Sequence, residues 1–223
     1  AALTAAIAEV ANELKVQFPV ESVGVSAAGW VSSDRKTMLA TPNISGWNGV
    51  NLDYEFTQLI GLPVVIENDA NSAAWGEARF GAAKGKQHVL LLTIGTGLGG
   101  GIVIDGKLHR GAFGIAAEVG HMRVVPDGLL CGCGAKGCFE QYGSGSALMR
   151  HTREAIEANP DIAEKLLARG DGTFSGLTGT MIMEAARAGD VIAIEAFRTT
   201  GKWIGAAVAS LSAILDPEIV VIG

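Results

Sequence analysis

Cysteine is scarce in this chain of 223 residues. Three are present, at positions 131, 133 and 138, an odd number inside one short loop. That suits a reduced cytosol and a metal better than a disulfide framework. Charge is sparse as well: 18 % of residues carry one, and 17 Lys and Arg stand against 23 Asp and Glu, for a net charge of −6. The basic residues are scattered and none of them cluster into a phosphodiester track, so nucleic-acid binding through this segment is not expected. Nor is there a membrane span, because the uncharged stretch from Gln87 to Ile104 is broken by glycines and threonines. The opening Ala1–Phe18 carries Glu9 and Glu13 and has no basic n-region, so no signal peptide is expected. An initiator Met is missing, and Glu218–Gly223 reads as a buried parallel strand with no crossover after it. The chain therefore reads as the middle of a longer protein.

What is present is apolar and glycine-rich. Hydrophobic residues make up 48 %, which excludes a disordered chain. Length alone allows a core that needs no disulfide or metal to hold it. Glycine, at 31 residues, is about twice its usual share of roughly 7 %, which implies tight turns or close backbone approaches.

Leu3, Ile7, Val10, Ala11 and Leu14 recur at helical spacing. A strand at Ser22–Ser26 follows, then short strands at 29–31 and 37–40 around the polar turn 32–36, a helix from Asn51 to Ile60 closed by Gly61, and a strand at Val64–Ile66. A further helix is predicted over 69–80. Beyond it come the strand Val89–Ile94, a turn through Gly95–Gly101, a returning strand at Ile102–Ile104, and a hairpin at Asp105-Gly106. Helices at about 146–158, 162–168, 180–188 and 191–215 precede the last strand. Strands and helices alternate, so the class is α/β. The domain border falls near 70–85, giving lobes at 1–73 and 74–223.

Three local patterns carry chemistry. Gly95-Thr-Gly-Leu-Gly-Gly100 has the letters of a dinucleotide fingerprint, but that fingerprint requires a helix to open there, and here a second strand follows. What remains is a glycine turn whose bare backbone N–H groups suit a phosphate, or a hairpin with no ligand. His121, Cys131, Cys133 and Cys138 supply one imidazole and three thiols, the donors of a closed tetrahedral Zn²⁺ site, with Gly132, Gly134 and Gly137 letting the loop fold around one ion. Such a closed shell makes the zinc structural. Glu67-Asn68-Asp69 sits between a strand and a helix, where Asn68 or Asp69 serves equally as a plain N-cap or Asp69 as a general base for an alcohol. Glu118 and Glu140 flank the cysteine motif and read either as solvated acids or as acceptors for the vicinal hydroxyls of a sugar.

Together these positions resemble the ROK family (repressors, open reading frames, kinases), and within it the zinc-containing bacterial glucokinases. The family signature maps onto Ile94, Gly97-Leu-Gly-Gly-Gly-Ile102, Gly111 and Gly120-His121. Glu67-Asn-Asp-Ala-Asn71, Glu118-x-x-His121 and Cys131-x-Cys-Gly-x-x-Gly-Cys-x-Glu140 match in order and spacing, over essentially the whole chain. The resemblance implies an actin-like, ribonuclease-H-like fold of two lobes, with ATP and sugar in the cleft between them. It implies Asp69 as base for the 6-hydroxyl, with Asn68 beside it, and Glu118, His121 and Glu140 on the other hydroxyls. His121 would also ligate zinc, and Gly95, Thr96, Gly97, Gly99 and Gly100 would border the phosphates of ATP, which brings Mg²⁺.

Glucose leads as substrate, followed by N-acetylmannosamine, allose or fructose; the alternative is the sugar-sensing body of a ROK repressor. A cytoplasmic location and a homodimer are further implications. Two departures stand out: the N-terminal Asp-x-Gly-Gly-Thr phosphate motif is absent, so this segment alone is expected to be inactive, and Ala27-Ala-Gly29 stands where many members have Pro-Gly.

Overall fold

Helix α1 (Ala2–Gln17) turns a face of Thr4, Ile7, Ala8 and Ala11 to the interior. Leu3, Val10 and Leu14, which share the apolar periodicity, are exposed. One cause is polar: the buried Trp47 indole Nε1 donates to Thr4 Oγ1 at 3.0 Å, which fixes the rotation of the helix. The computed structural model describes residues 2–41 and 44–223. By packing, the chain forms two units: Ala1–Leu91 with Gly100–Ala117, and Leu92–Gly99 with Glu118–Gly223.

In the first unit, β1 (Val23–Ala27) pairs in parallel with β5 (Val64–Asn68), in a register that sets Ala27 opposite Asn68. β2 (Trp30–Val31), β3 (Thr37–Ala40) and β4 (Val50–Asn51) form a small antiparallel sheet. Helix α2 (Leu52–Ile60) begins with Asn51 as its cap, Oδ1 accepting from Tyr54 N, and ends on Gly61 in the left-handed conformation at φ 71°. It buries Leu52, Phe56 and Ile60 against Val25, Ile66, Met38 and Trp47. α3 (Asp69–Phe80) follows β5 directly. The border expected at 73/74 thus falls inside one continuous helix.

Strands β6 (Val89–Ile94) and β7 (Leu98–Ile104) each contribute to both units, and with β8 (Lys107–Leu108) and β9 (Ile219–Ile222) they form a four-stranded sheet in the order β8-β7-β6-β9. β8 closes the Asp105-Gly106 hairpin, and β9 is half-buried to exposed where the sequence predicts a buried strand.

The second unit is mainly helical: α4 (Glu140–Gly143), α5 (Gly145–Ala158), α6 (Pro160–Leu167), α7 (Gly179–Arg187) and α8 (Val191–Leu215). Its core gathers Leu166, Leu177, Ile182 and Ile192 around small alanines, which lets the helices approach closely. Among the described residues no helix is long and apolar enough to cross a membrane.

Candidate active site and metal centre

The choice of cap at the start of α3 settles what Asp69 is free to do. Asn68, the last residue of β5, has extended backbone geometry, and its Oδ1 accepts from Asn71 N at 2.9 Å. Asn68 is therefore the N-cap, and Asp69 is the first helical residue. Asn68 Nδ2 donates to Gly29 O at 3.0 Å and to Asp69 Oδ1 at 3.1 Å, and Ala70 N donates to the same Oδ1 at 2.9 Å. Two donors fix one oxygen of the exposed Asp69 carboxylate, while Oδ2 engages no hydrogen bond among the described residues.

The departure at Ala27-Ala-Gly29 keeps the glycine that matters. Gly29 has φ 144°, and a Cβ there would fall 2.6 Å from Ala40 O and 2.7 Å from Met38 Sδ. Behind Asn68 stands Glu67, whose Oε2 meets Arg110 Nη2 at 2.6 Å and Nε at 2.8 Å. Its Oε1 accepts from Asn68 N at 3.2 Å and Asn71 Nδ2 at 3.3 Å. Neither Glu67 nor Arg110 stands out in the sequence as a site residue.

In the second unit the glycine turn is shorter than its letters imply. Only 95–97 is turn; Gly99, Gly100 and Gly101 lie in β7. The carbonyls of the turn are occupied: Gly145 N donates to Gly95 O at 2.8 Å, and Ser146 Oγ to Thr96 O at 2.7 Å. Leu98 N donates to Glu140 Oε2 at 3.0 Å. Among the described residues no hydrogen bond uses the backbone N–H of Thr96 or Gly97, which leaves both as donors for an anion. The clamp formed by Gly145 and Ser146 was not evident in the sequence, since it joins segments about fifty residues apart.

Glu118 precedes a single 3-10 turn, Val119–His121, and so presents its carboxylate beside the imidazole, Oε2 lying 4.0 Å from His121 Nε2. The other ring nitrogen, Nδ1, is 3.7 Å from Cys131 Sγ, and Cys133 Sγ is 3.7 Å from Cys138 Sγ. All four donor atoms of His121, Cys131, Cys133 and Cys138 lie within 4.8 Å of one another. A Zn–S bond of about 2.3 Å makes the edge of a tetrahedron ~3.8 Å, close to the 3.7 Å within each of those two pairs, so the four residues are placed where they could hold one zinc ion.

The loop reaches it through left-handed Gly134 (φ 89°) and Gly137 (φ 78°) and a bond from Cys131 N to Ala135 O at 2.8 Å. Burial pushes the Cys138 thiol up to about 12 and raises Cys131 as well, whereas a backbone hydrogen bond from Ala135 lowers Cys133. Three thiolates crowded this closely require a cation to hold them ionised. Glu140, at the start of α4, completes the group, with Oε1 3.8 Å from Cys131 Sγ.

The structure thus assembles Asn68 and Asp69 with Glu67 in one unit. In the other it assembles Glu118, His121, Glu140 and the cysteines, with the turn 95–97.

The family model for the ROK family matches residues 1–223. A glucokinase from Streptomyces coelicolor is 49 % identical over 222 residues, spanning all of this chain and 70 % of that protein. A xylose repressor from Caldicellulosiruptor bescii is 33 % identical over 90 % of this chain and 49 % of its own length. Among solved structures, a ROK family glucokinase from Streptomyces griseus, in complex with glucose and AMPPNP, superposes with a TM-score of 0.84 at 53 % identity, covering 92 % of this chain and 65 % of that one. The fold is the α/β, actin-like fold of sugar kinases.

Proposed function

This chain belongs to the ROK family, and from that premise we propose that it carries the body of an ATP-dependent glucokinase, which transfers the γ-phosphoryl group of ATP to the 6-hydroxyl of glucose. The single observation that carries the chemical reading is the division of labour at α3. Asn68 takes the capping role, so the Asp69 carboxylate is held by Oδ1 and presents Oδ2 to an alcohol. A carboxylate so placed accepts the proton of the 6-hydroxyl as the hydroxyl oxygen attacks the γ-phosphorus and the bond from that phosphorus to ADP breaks.

Asn68 lies beside the same hydroxyl. Glu118, His121 through Nε2, and Glu140 through Oε1 accept from or donate to the remaining hydroxyls, fixing the ring for in-line attack. The amides of Thr96 and Gly97 border the phosphates, with Gly95, Gly99 and Gly100 keeping that backbone bare. Mg²⁺ arriving with ATP supplies charge neutralisation on the phosphates.

His121 Nδ1, Cys131, Cys133 and Cys138 hold a structural Zn²⁺. Binding through Nδ1 leaves Nε2 to Glu118 and the sugar, the usual arrangement in which a ligating histidine is oriented by a carboxylate on its other nitrogen. The protein acts in the cytoplasm, where thiols stay reduced and ATP is supplied, and as a homodimer.

Asp69→Asn in the full-length protein tests this reading. The amide keeps size and shape, so glucose binding measured by calorimetry should survive while kcat falls by about 10²–10⁴-fold. Turnover within a few-fold of wild type would return Asp69 to a scaffold role. It would also favour a second reading, the sugar-sensing body of a repressor, for which the likeness to a xylose repressor is the support.

A further inference from the structure

We propose that Arg110 and Glu67 are positioning residues for Asp69: a shielded ion pair that sets the first turn of α3 and so aims the base. This rests on the reading of Asp69 as base. The pair joins segments 43 residues apart, and its side chains are only 26 % and 15 % exposed. Both guanidinium contacts, from Nη2 at 2.6 Å and Nε at 2.8 Å, fall on the single oxygen Oε2. The fixed fork of arginine makes that possible; the single ammonium of lysine does not.

Stability alone would explain an ion pair, but two observations go further. Glu67 spends its second oxygen on the segment that carries the base, accepting from Asn68 N and from Asn71 Nδ2. Among the described residues the buried Asn71 also leaves its Oδ1 without a partner. Flipping that amide would set its oxygen against the Glu67 carboxylate, so Glu67 dictates the orientation. Asn71 is thereby kept as a donor to Glu67.

Asn68 is thereby held at three points: its N on Glu67, its Oδ1 on Asn71 N, and its Nδ2 on Gly29 O and Asp69 Oδ1. The chain of bonds runs from Arg110 through Glu67 to Asn68 and ends on Asp69. Without the guanidinium nothing fixes Glu67 Oε2, the carboxylate is free to turn toward water, and its grip on Asn68 and Asn71 is loosened.

The test uses the full-length enzyme with Arg110→Met, Arg110→Lys, Glu67→Gln, Asp69→Asn and the double variant Arg110→Met/Asp69→Asn. Arg110→Met and Glu67→Gln should lose up to roughly 10²-fold in kcat, the scale of a small misplacement of a reacting group, with KM for ATP and calorimetric affinity for glucose within a few-fold. Arg110→Lys, which keeps the charge and is expected to fold, should recover only part of the rate. In the Asp69→Asn background, Arg110→Met should lower kcat little further, because the pair acts on the rate through the aim of that carboxylate, while Asn68 keeps its own bonds to Gly29 O and Asn71 N.

The proposal is overturned if Arg110→Met and Glu67→Gln turn over like wild type while Asp69→Asn is inactive. It is also overturned if the losses multiply in the double variant, or if kcat and glucose affinity fall together with Tm in Arg110→Lys. Near-normal turnover in Asp69→Asn instead overturns the base reading, and this proposal with it.

Discussion

Gly97 lies in the turn that the family resemblance gives to the ATP phosphates, yet what stands against it in the structure is Glu140, the acid we propose for the sugar. A Cβ built on Gly97 would overlap Glu140 Oε2 and lie 3.4 Å from Cδ, where real Cβ contacts essentially never fall below 3.0 Å. The backbone of Gly97 is not left-handed, so alanine fits there without torsional strain. What must give is the far end of a flexible side chain. Gly97→Ala should therefore fold normally and act by moving one carboxylate.

That carboxylate accepts from Leu98 N at 3.0 Å and is our proposed acceptor for a glucose hydroxyl. A hydrogen bond to a charged group is worth ~1.5–3 kcal/mol. At about 1.4 kcal/mol per tenfold, the sugar affinity should fall about 10- to 150-fold. The amides we propose for the phosphates stay in place, so KM for ATP should change by less than about three-fold on the same scale. Glu140→Gln gives the reference, since it removes the charge without the methyl. Glucose calorimetry and steady-state kinetics on the full-length enzyme separate the two substrates. A Gly97→Ala enzyme with wild-type glucose affinity and a raised KM for ATP would refute this account of the turn.

Protein purified without added metal should contain one zinc per chain, and a strong chelator should raise KM for glucose more than KM for ATP, because the loop that carries His121 and Glu140 is organised by the ion; a folded, active sample free of zinc by elemental analysis would end that idea. Gly134→Ala should cost only the left-handed strain of ~1–2 kcal/mol, since nothing lies within 4 Å of its added methyl. Gly137→Ala, whose Cβ would sit 2.6 Å from the Val125 carbonyl carbon and closer still to its oxygen, should lose both zinc and the folded loop; equal melting temperatures and zinc contents for the two variants would contradict this. Thr4→Ala leaves the buried Trp47 indole N–H unpaired and should lower stability by ~1–3 kcal/mol in urea unfolding; a loss under about 0.5 kcal/mol would show that water replaces the hydroxyl.

Elements long enough to show their period were legible in the sequence. Val191–Leu215 is a helix over its expected span, and Asn51 and Gly61 bracket α2 because a cap and a left-handed stop are local chemistry. β4 and α4, two and four residues long, are too short to show any period, and α4 is the element that carries Glu140. Strand β7 begins at Leu98 and not at Ile102, because glycines that read as turn residues serve a close approach in a strand. A Cβ on Gly101 would strike Ala74 Cβ and lie 2.9 Å from Ala70 O. Letters alone do not distinguish a glycine needed for its torsion from one needed for its missing side chain.

The same distinction runs through the site. The cysteine motif was legible because its three thiols lie within one loop, and the structure brings them and His121 within 4.8 Å of one another. At α3 the letters left Asn68 and Asp69 interchangeable as caps; one hydrogen bond, Asn71 N to Asn68 Oδ1, separates them. Gly97 and Gly120 are both signature positions, and both are glycine because something comes close to them: Glu140 in one case, and in the other the Leu98 carbonyl, whose carbon would sit 3.1 Å from a Cβ on Gly120. Leu98 is thus the shared element. Its N–H holds Glu140, and its C=O lies against the turn that carries His121. Two glycines of the signature thus serve to bring Leu98 against Glu140 and against the turn that carries His121, the acid and imidazole proposed for the sugar. The relation was hidden in the sequence because each contact joins positions more than twenty residues apart.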